Sequence, residues 1–354
     1  MSDGTLAYVL ETPAAPLVAR EMALPVPGPG EAIVEVLACG LCHTDLGFAD
    51  GSVRPGKALP LVLGHEVVGT VVATGPEVTL PIGTRVIVPA VLPCGRCDFC
   101  RAGRGNACPQ QKMPGNDIDG GFATHVRVPA HPLVPLDGMP PGFDARLFSV
   151  VADAVSTAYQ AVRRAGLESG DAVFVVGAGG VGGFVTQIAR ALGARVAVCD
   201  VSPERLRQAA AVGAEHTCDV RDRAPQDVRK ELHALARTWQ VPSLRWRIFE
   251  CSGTPAGQLL AYGLLARAAT LLQVGYTPKP VEVRLSNLMA FDATVHGSWG
   301  CPPEAYPDVL RLIAAGQVVL EPFVEHAPMS SLNELLDALA HHRLERRMIL
   351  DPRR

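Results

Sequence analysis

Charge is scarce in this chain. Only 19% of its 354 residues are Asp, Glu, Lys or Arg, the formal net charge is −3, and no long basic run occurs. A nucleic-acid binder needs a basic patch to neutralise phosphates, so that class is disfavoured. Met1–Leu10 lacks the basic stretch and apolar core of a secretory leader. Internal repeats and low-complexity tracts are also missing. Aromatic residues reach only 5%, yet 48% of the chain is hydrophobic and 35 Gly and 30 Pro are spread along it. Such a composition belongs to a compact, loop-rich globular protein and not to a disordered one. The length exceeds the roughly 250–300 residues that one core organises, so two domains are expected.

One stretch imitates a membrane span. Residues 172–189 carry no charge, but they include Gly177, Gly179, Gly180, Gly182 and Gly183, which favour a strand, a turn and a helix. A soluble, cytoplasmic protein is expected. Ten cysteines, four of them closely clustered, point to metal ligation in a reducing compartment more than to a disulfide framework.

The texture changes twice along the chain. Up to about residue 154, short alternating runs such as 32–36 and 67–72 are broken by Gly and Pro, the pattern of a β-rich module. From about 155 to 297, the apolar runs 172–177, 195–200, 245–251 and 269–274 alternate with amphipathic segments such as 203–212 and 225–239. That alternation predicts βαβ units around a parallel sheet, an α/β doubly wound arrangement. Residues 298–354 return to mixed character and end in a helix near 331–341.

Gly177-Ala178-Gly179-Gly180-Val181-Gly182 follows one apolar run and opens a helix reaching to about Leu192. These glycines permit a tight turn and a close approach of backbone amides to a pyrophosphate, which the helix N-terminus stabilises. Asp200 ends the next apolar strand at the spacing where a carboxylate accepts from both ribose hydroxyls. It would repel a 2′-phosphate, so NAD is preferred over NADP, and Arg205 softens that preference.

Cys94, Cys97, Cys100 and Cys108 form C-x2-C-x2-C-x7-C. Four thiolates in a short lobe close a tetrahedral shell around zinc and leave no position for substrate, so the site is structural. A second group is dispersed: Cys42-His43-Thr44-Asp45, Gly64-His65-Glu66 and Asp153. Singly, each has a bland reading as a core or hydrogen-bonded residue.

In this order the motifs resemble the zinc-dependent alcohol dehydrogenases of the medium-chain dehydrogenase/reductase superfamily, nearly end to end. The resemblance implies a GroES-like catalytic domain, residues 1–154 and 298–354, and a Rossmann NAD-binding domain, residues 155–297. It implies a catalytic zinc on Cys42, His65 and Asp153, where most relatives carry a third cysteine in place of the aspartate. Glu66 corresponds to a nearby acidic residue that approaches the zinc, Asp45 orients the His65 ring, and Thr44 receives the alcohol proton. Many relatives pass that proton to a histidine where this chain has Gly47, which leaves the cofactor ribose, water or His43 as its exit. A homo-oligomer joined near 290–298 is implied as well.

A closer resemblance rests on 113–117, 120–123, 149–161, 249–254, 281–291 and 299–304. These stretches are similar to the 6-hydroxycyclohex-1-ene-1-carbonyl-CoA dehydrogenases, which implies an acyl-CoA substrate whose ring hydroxyl is oxidised to a ketone. Lys112 and Arg284 are candidates for the CoA phosphates. Asn116 and Asp117 fit either a substrate pocket or a plain turn. Oxidation of free secondary alcohols and conjugate hydride addition to an enone or enoyl-CoA are the competing readings.

Overall fold

A computed structural model describes residues 4–353. Met1–Asp3 and Arg354, at the outer ends of the expected catalytic-domain stretches and of the segment read for a leader, lie outside the described residues. The chain divides into two compact units: Met1–Ser156 with Gly300–Ala314 and Leu320–Arg354, and Thr157–Trp299 with Ala315–Val319.

The first unit is β-rich. Strands β1 (Gly4–Leu10), β2 (Val18–Ala23), β3 (Glu31–Gly40), β4 (Leu61–Val62), β5 (Glu66–Thr74), β6 (Arg85–Val88), β7 (His125–Pro129) and β8 (Val134–Pro135) precede the second unit. The last two strands of the chain, β15 (Val324–Pro328) and β16 (Arg347–Asp351), follow it. One sheet runs β15-β16-β3-β5-β6-β8, with β7 also on β3, and a smaller one runs β2-β1-β4. β3 is buried along most of its length, because strands flank both its edges and side chains cover both its faces. Its carboxyl end is fixed from two sides: Gly40 is paired with Glu66 of β5 and with Ile349 of β16. Helix α1 (His43–Asp50) begins immediately after it, and α2 (Asp98–Arg101) lies in the four-cysteine lobe.

Helix α3 (Ala154–Arg164) leads into the second unit, whose sheet is entirely parallel: β9 (Ala172–Val176), β10 (Arg195–Asp200), β11 (His216–Asp219), β12 (Trp246–Glu250), β13 (Thr270–Gln273) and β14 (Thr294–Gly297), in the order β11-β10-β9-β12-β13-β14. The expected runs become β9, β10, β12 and β13. The short outer strands β11 and β14 carry too little apolar sequence to stand out, and they exist because an inner strand templates them. The uncharged stretch is β9, then α4 (Gly180–Ala191). No helix among the described residues is long and apolar enough to cross a membrane.

Local sequence sets the helix starts. Ser202 caps α5 (Pro203–Ala211) by accepting from the Arg205 amide, and Thr254 caps α7 (Pro255–Gly263) by accepting from the Gly257 amide, each with proline next in line. The charged face of α6 (Pro225–Thr238) is exposed, while Val228, Leu232 and Ala236 are buried. Helices α8 (Ser286–Phe291), α9 (Tyr306–Ala314) and α10 (Leu332–Ala340) complete the chain.

Gly64 occupies a left-handed conformation, φ +96°, where a Cβ would lie 2.7 Å from the Phe122 ring and 2.8 Å from Cys39 Sγ. Gly64→Ala therefore combines backbone strain with overpacking. An expected loss of about 2–4 kcal/mol should appear as a lowered urea midpoint with an unchanged slope.

Candidate functional site

Three segments of the first unit converge at the end of β3. Cys42 caps α1 just beyond Gly40. His65 and Glu66 open β5 beside it, and Asp153 ends the 3₁₀ stretch Ala145–Ala152. One ligand atom from each of Cys42, His65, Glu66 and Asp153 lies within 4.8 Å of all the others. The Gly40–Glu66 pairing needs glycine, since a Cβ there would stand 2.1 Å from Glu66 Oε2. Asp153 is held from behind: the Ala152 carbonyl accepts from the Ala90 amide at 3.0 Å and from the Tyr306 hydroxyl at 2.6 Å.

Asp45 organises the group from below. It is fully buried, and its Oδ2 accepts from the Cys42 amide at 3.0 Å. Its Oδ1 accepts from the Gly64 amide at 3.1 Å and lies 3.3 Å from His65 Nδ1. This contact fixes the ring so that Nε2 faces Asp153 Oδ2 at 3.6 Å. His65 Nε2 and Glu66 Oε2 are buried and have no hydrogen-bond partner in the protein. Two orphaned donor atoms beside a thiol and a second carboxylate make a set that suits zinc, one soft sulfur with nitrogen and oxygen. Thr44 Oγ1 lies 3.8 Å from Cys42 Sγ.

The charges here are strongly interdependent. Burial opposes ionisation of Cys42, but Arg347 and His65 outweigh it and bring the thiol down to about 7. Burial also opposes a charge on His65, yet Asp45 and Asp153 draw its pKa well above the ordinary range. Glu66 is pushed up to about 8 by burial, against the pull of Arg347. Arg347, from the start of β16, is nearly buried and ion-paired with Glu66 Oε1. Nothing in the run Glu345-Arg346-Arg347 singles it out, and only the pairing of β16 with β3 shows which arginine turns inward.

The four-cysteine lobe is a second donor set. Its Sγ–Sγ separations of 3.5, 3.6 and 3.9 Å are far longer than a disulfide. They match the edge of about 3.8 Å of a tetrahedron with metal–sulfur bonds of about 2.3 Å. Cys108 Sγ accepts from the amides of Cys94 and Gln110. Donation from the Arg96 amide brings Cys94 down to about 6, and burial pushes Cys100 up to about 12. Arg96, Lys112 and His131 border the depression beside Cys94, where the charge of Arg96 and Lys112 offsets the net −2 of a zinc tetrathiolate.

In the second unit the glycine turn lies at the carboxyl end of β9. Gly177 has φ +95°, and a Cβ on Gly182 would meet the Gly177 carbonyl at 1.8 Å. Gly179 caps α4, with Gly180 and Val181 in its first turn, so the amides at its start are free to face an anion. Asp200 closes β10 and accepts from the Ala178 amide at 2.6 Å and the Ser202 amide at 2.8 Å. Arg205 follows in the first turn of α5.

The more distinctive stretches serve the backbone. Asn116 Oδ1 accepts from the Gly56 amide and Asp117 Oδ2 from the Met113 amide, so both side chains staple a turn. The Lys112 backbone bridges Leu92 beside the cysteine lobe, and the Arg284 carbonyl accepts from Tyr262.

Known proteins share this architecture. The alcohol dehydrogenase GroES-like domain matches residues 28–138, and the zinc-binding dehydrogenase family matches residues 180–315. An alcohol dehydrogenase of Geobacillus stearothermophilus is 29% identical over 97% of this chain and 98% of its own. An L-threonine 3-dehydrogenase of Pyrococcus abyssi is 32% identical over 92% of each chain. Among solved structures, an acetophenone reductase from Geotrichum candidum in complex with NAD superposes with a TM-score of 0.85 at 26% identity, over 99% of this chain and 98% of that one.

Arg347→Met removes the cation facing Glu66, at an expected cost of about 2–3 kcal/mol in urea. Because the Glu66 pKa is raised, its folded-state protonation contributes stability at low pH that is lost as pH rises towards 8. Without Arg347 the charged form of Glu66 loses its counter-ion and its pKa rises further. In the metal-free protein the deficit should therefore be wider at pH 8 than at pH 5, and Glu66→Gln in the same background should remove most of it.

Proposed function

We propose that this chain, which belongs to the zinc-dependent medium-chain alcohol dehydrogenase family, oxidises a secondary alcohol to a ketone with NAD. The observation that carries the reading is the Cys42–His65–Glu66–Asp153 cluster, half-buried at Cys42 and Asp153, with its two orphaned buried atoms on His65 and Glu66. When bound, zinc supplies the Lewis acid and NAD the hydride acceptor.

The chain's own residues do the rest. Cys42, His65 and Asp153 hold the metal, and Asp45 keeps Nε2 of His65 turned towards it. Glu66 is a further donor whose charge Arg347 balances. Asp153 is the one carboxylate of the set with some exposure, 21% of its side chain, so substrate enters on its side. Thr44 accepts the hydroxyl proton as the alcohol ionises and passes its own on to the cofactor ribose, water or His43. With Cys42 and Asp153 as anions and His65 neutral, the three ligands cancel the metal's charge, and the hard oxygen leaves it a stronger Lewis acid than a second thiolate would. Cys94, Cys97, Cys100 and Cys108 hold a structural zinc. Gly177, Gly179, Gly180, Val181 and Gly182 receive the pyrophosphate, and Asp200 takes the ribose hydroxyls beside Arg205.

The narrower form of the reading is a CoA thioester substrate, 6-hydroxycyclohex-1-ene-1-carbonyl-CoA oxidised to its 6-oxo product. It is supported by the sequence stretches that resemble enzymes of that reaction. The assay is NADH formation with this thioester, 2-cyclohexen-1-ol and cyclohexanol at matched concentrations. A strong preference for the thioester is expected, and equal or better rates with the free alcohols would remove the CoA reading while leaving the dehydrogenase. Asp153→Ala should lower zinc from two to about one per chain by elemental analysis and cut kcat/KM at least about 100-fold.

The same reading makes the protein a homo-oligomer. β14 is the outer strand of the parallel sheet, Val295 on it is 40% exposed, and the nearby Leu285 and Met289 are more exposed still, at 69% and 79%. A second copy pairing edge to edge covers this row. Light scattering should give at least a dimer mass, and Val295→Lys with Met289→Glu should shift it towards the monomer; a wild-type monomer overturns the proposal.

A further inference from the structure

Glu250 closes β12, and its side chain is fully buried. Strand order reverses between β9 and β12, and a dinucleotide binds in the crevice outside the carboxyl ends at such a switch point. Glu250 stands under that point. Its Oε1 accepts from the Ser252 hydroxyl, from the Ser252 amide at 2.8 Å and from the Gly253 amide at 3.2 Å. Its Oε2 accepts from Gln273 Nε2 at 2.8 Å. The Glu250 carbonyl also accepts from the amides of Val274 and Gly275.

The surrounding loops touch backbone to backbone. A Cβ on Gly275 would stand 2.3 Å from the Gly253 amide nitrogen, and one on Gly177 would stand 2.6 Å from that of Ser252. The loops after β9, β12 and β13 therefore cannot shift independently. The Ser252 hydroxyl extends the chain of contacts, accepting from the Thr254 amide at 3.2 Å, and Thr254 caps α7. A carboxylate this deeply buried is costly unless its lone pairs are filled, and here four neutral donors fill them. Such saturation gives a rigid network with one arrangement.

We infer that Glu250 is a positioning residue for the cofactor, which fixes the Ser252–Thr254 loop against the Val274–Tyr276 loop so that both line the dinucleotide crevice beside Gly177. The inference rests on the reading of NAD as cofactor, and it assigns Glu250 to cofactor affinity and not to alcohol binding or hydride transfer.

Glu250→Gln sets an amide N–H against either Gln273 or the Ser252 and Gly253 amides, where only an acceptor fits. The dissociation constant for NAD, measured by calorimetry, is expected to rise about tenfold while KM for the alcohol and the zinc content stay within about twofold. Gln273 Nε2 also donates to the Gly275 carbonyl at 2.7 Å, so it ties Glu250 to the same second loop. Unchanged affinity in Glu250→Gln overturns the inference, as does a rise in KM for the alcohol as large as the loss of NAD affinity. If Glu250→Gln fails to fold, Ser252→Ala serves instead: a weakening of about threefold is expected, and unchanged affinity there overturns the inference equally. Wild-type protein that binds no NAD would instead sink the cofactor reading itself.

Discussion

The pairing of Gly40 with both Glu66 and Ile349 is the constraint on which the first unit depends. A strand register carries every side chain with it, and a slip of one residue would turn Glu66 and Arg347 to the wrong face. With this register, Cys42 follows the end of one strand and His65 precedes the start of its neighbour. The third strand brings Arg347 against Glu66. Gly40 is the residue that permits it, because the Glu66 carboxylate occupies the space a Cβ would take.

The two donor sets differ in what surrounds them. The cysteine lobe is bordered by Arg96, Lys112 and His131 near the surface, and four thiolates overcompensate a divalent cation. Such a centre has no affinity left for a substrate oxygen and serves to hold a loop. The cluster at Cys42 is deeper, has ligands of three chemical kinds, and keeps its acidic side balanced by a single arginine. Near-neutral total charge and one partly open side are what a reacting oxygen requires. Their physical difference is thus one of charge and access more than of metal.

Much of this is legible in the sequence, and unevenly so. Local chemistry reads well: the glycine turn, the cysteine spacing, the caps at Ser202 and Thr254, and the apolar runs of β9, β10, β12 and β13 all announce themselves within a few residues. Features set by distant pairing do not. Arg347 sits in an undistinguished basic run, and Tyr306 gives no sign that its hydroxyl holds the Ala152 carbonyl. Strands β11 and β14 lack the composition to be found alone. Asn116 and Asp117 stand open between pocket and turn in the sequence, and their hydrogen bonds run to backbone amides.

The division of the first unit along the chain has a consequence for biosynthesis. Its central sheet needs β16, which is made roughly 300 residues after β3, so loop-closure entropy delays this contact more than any other in the sheet. The second unit is nearly continuous and can complete its parallel sheet on the ribosome while the earlier strands still wait for their last neighbour. Until β16 arrives, the carboxyl end of β3 is unpaired on one edge, past the stretch that β7 covers, and Glu66 lacks its arginine. The nascent protein thus has all four donors of the Cys42 cluster early, but it completes its second sheet before Arg347 arrives to balance Glu66.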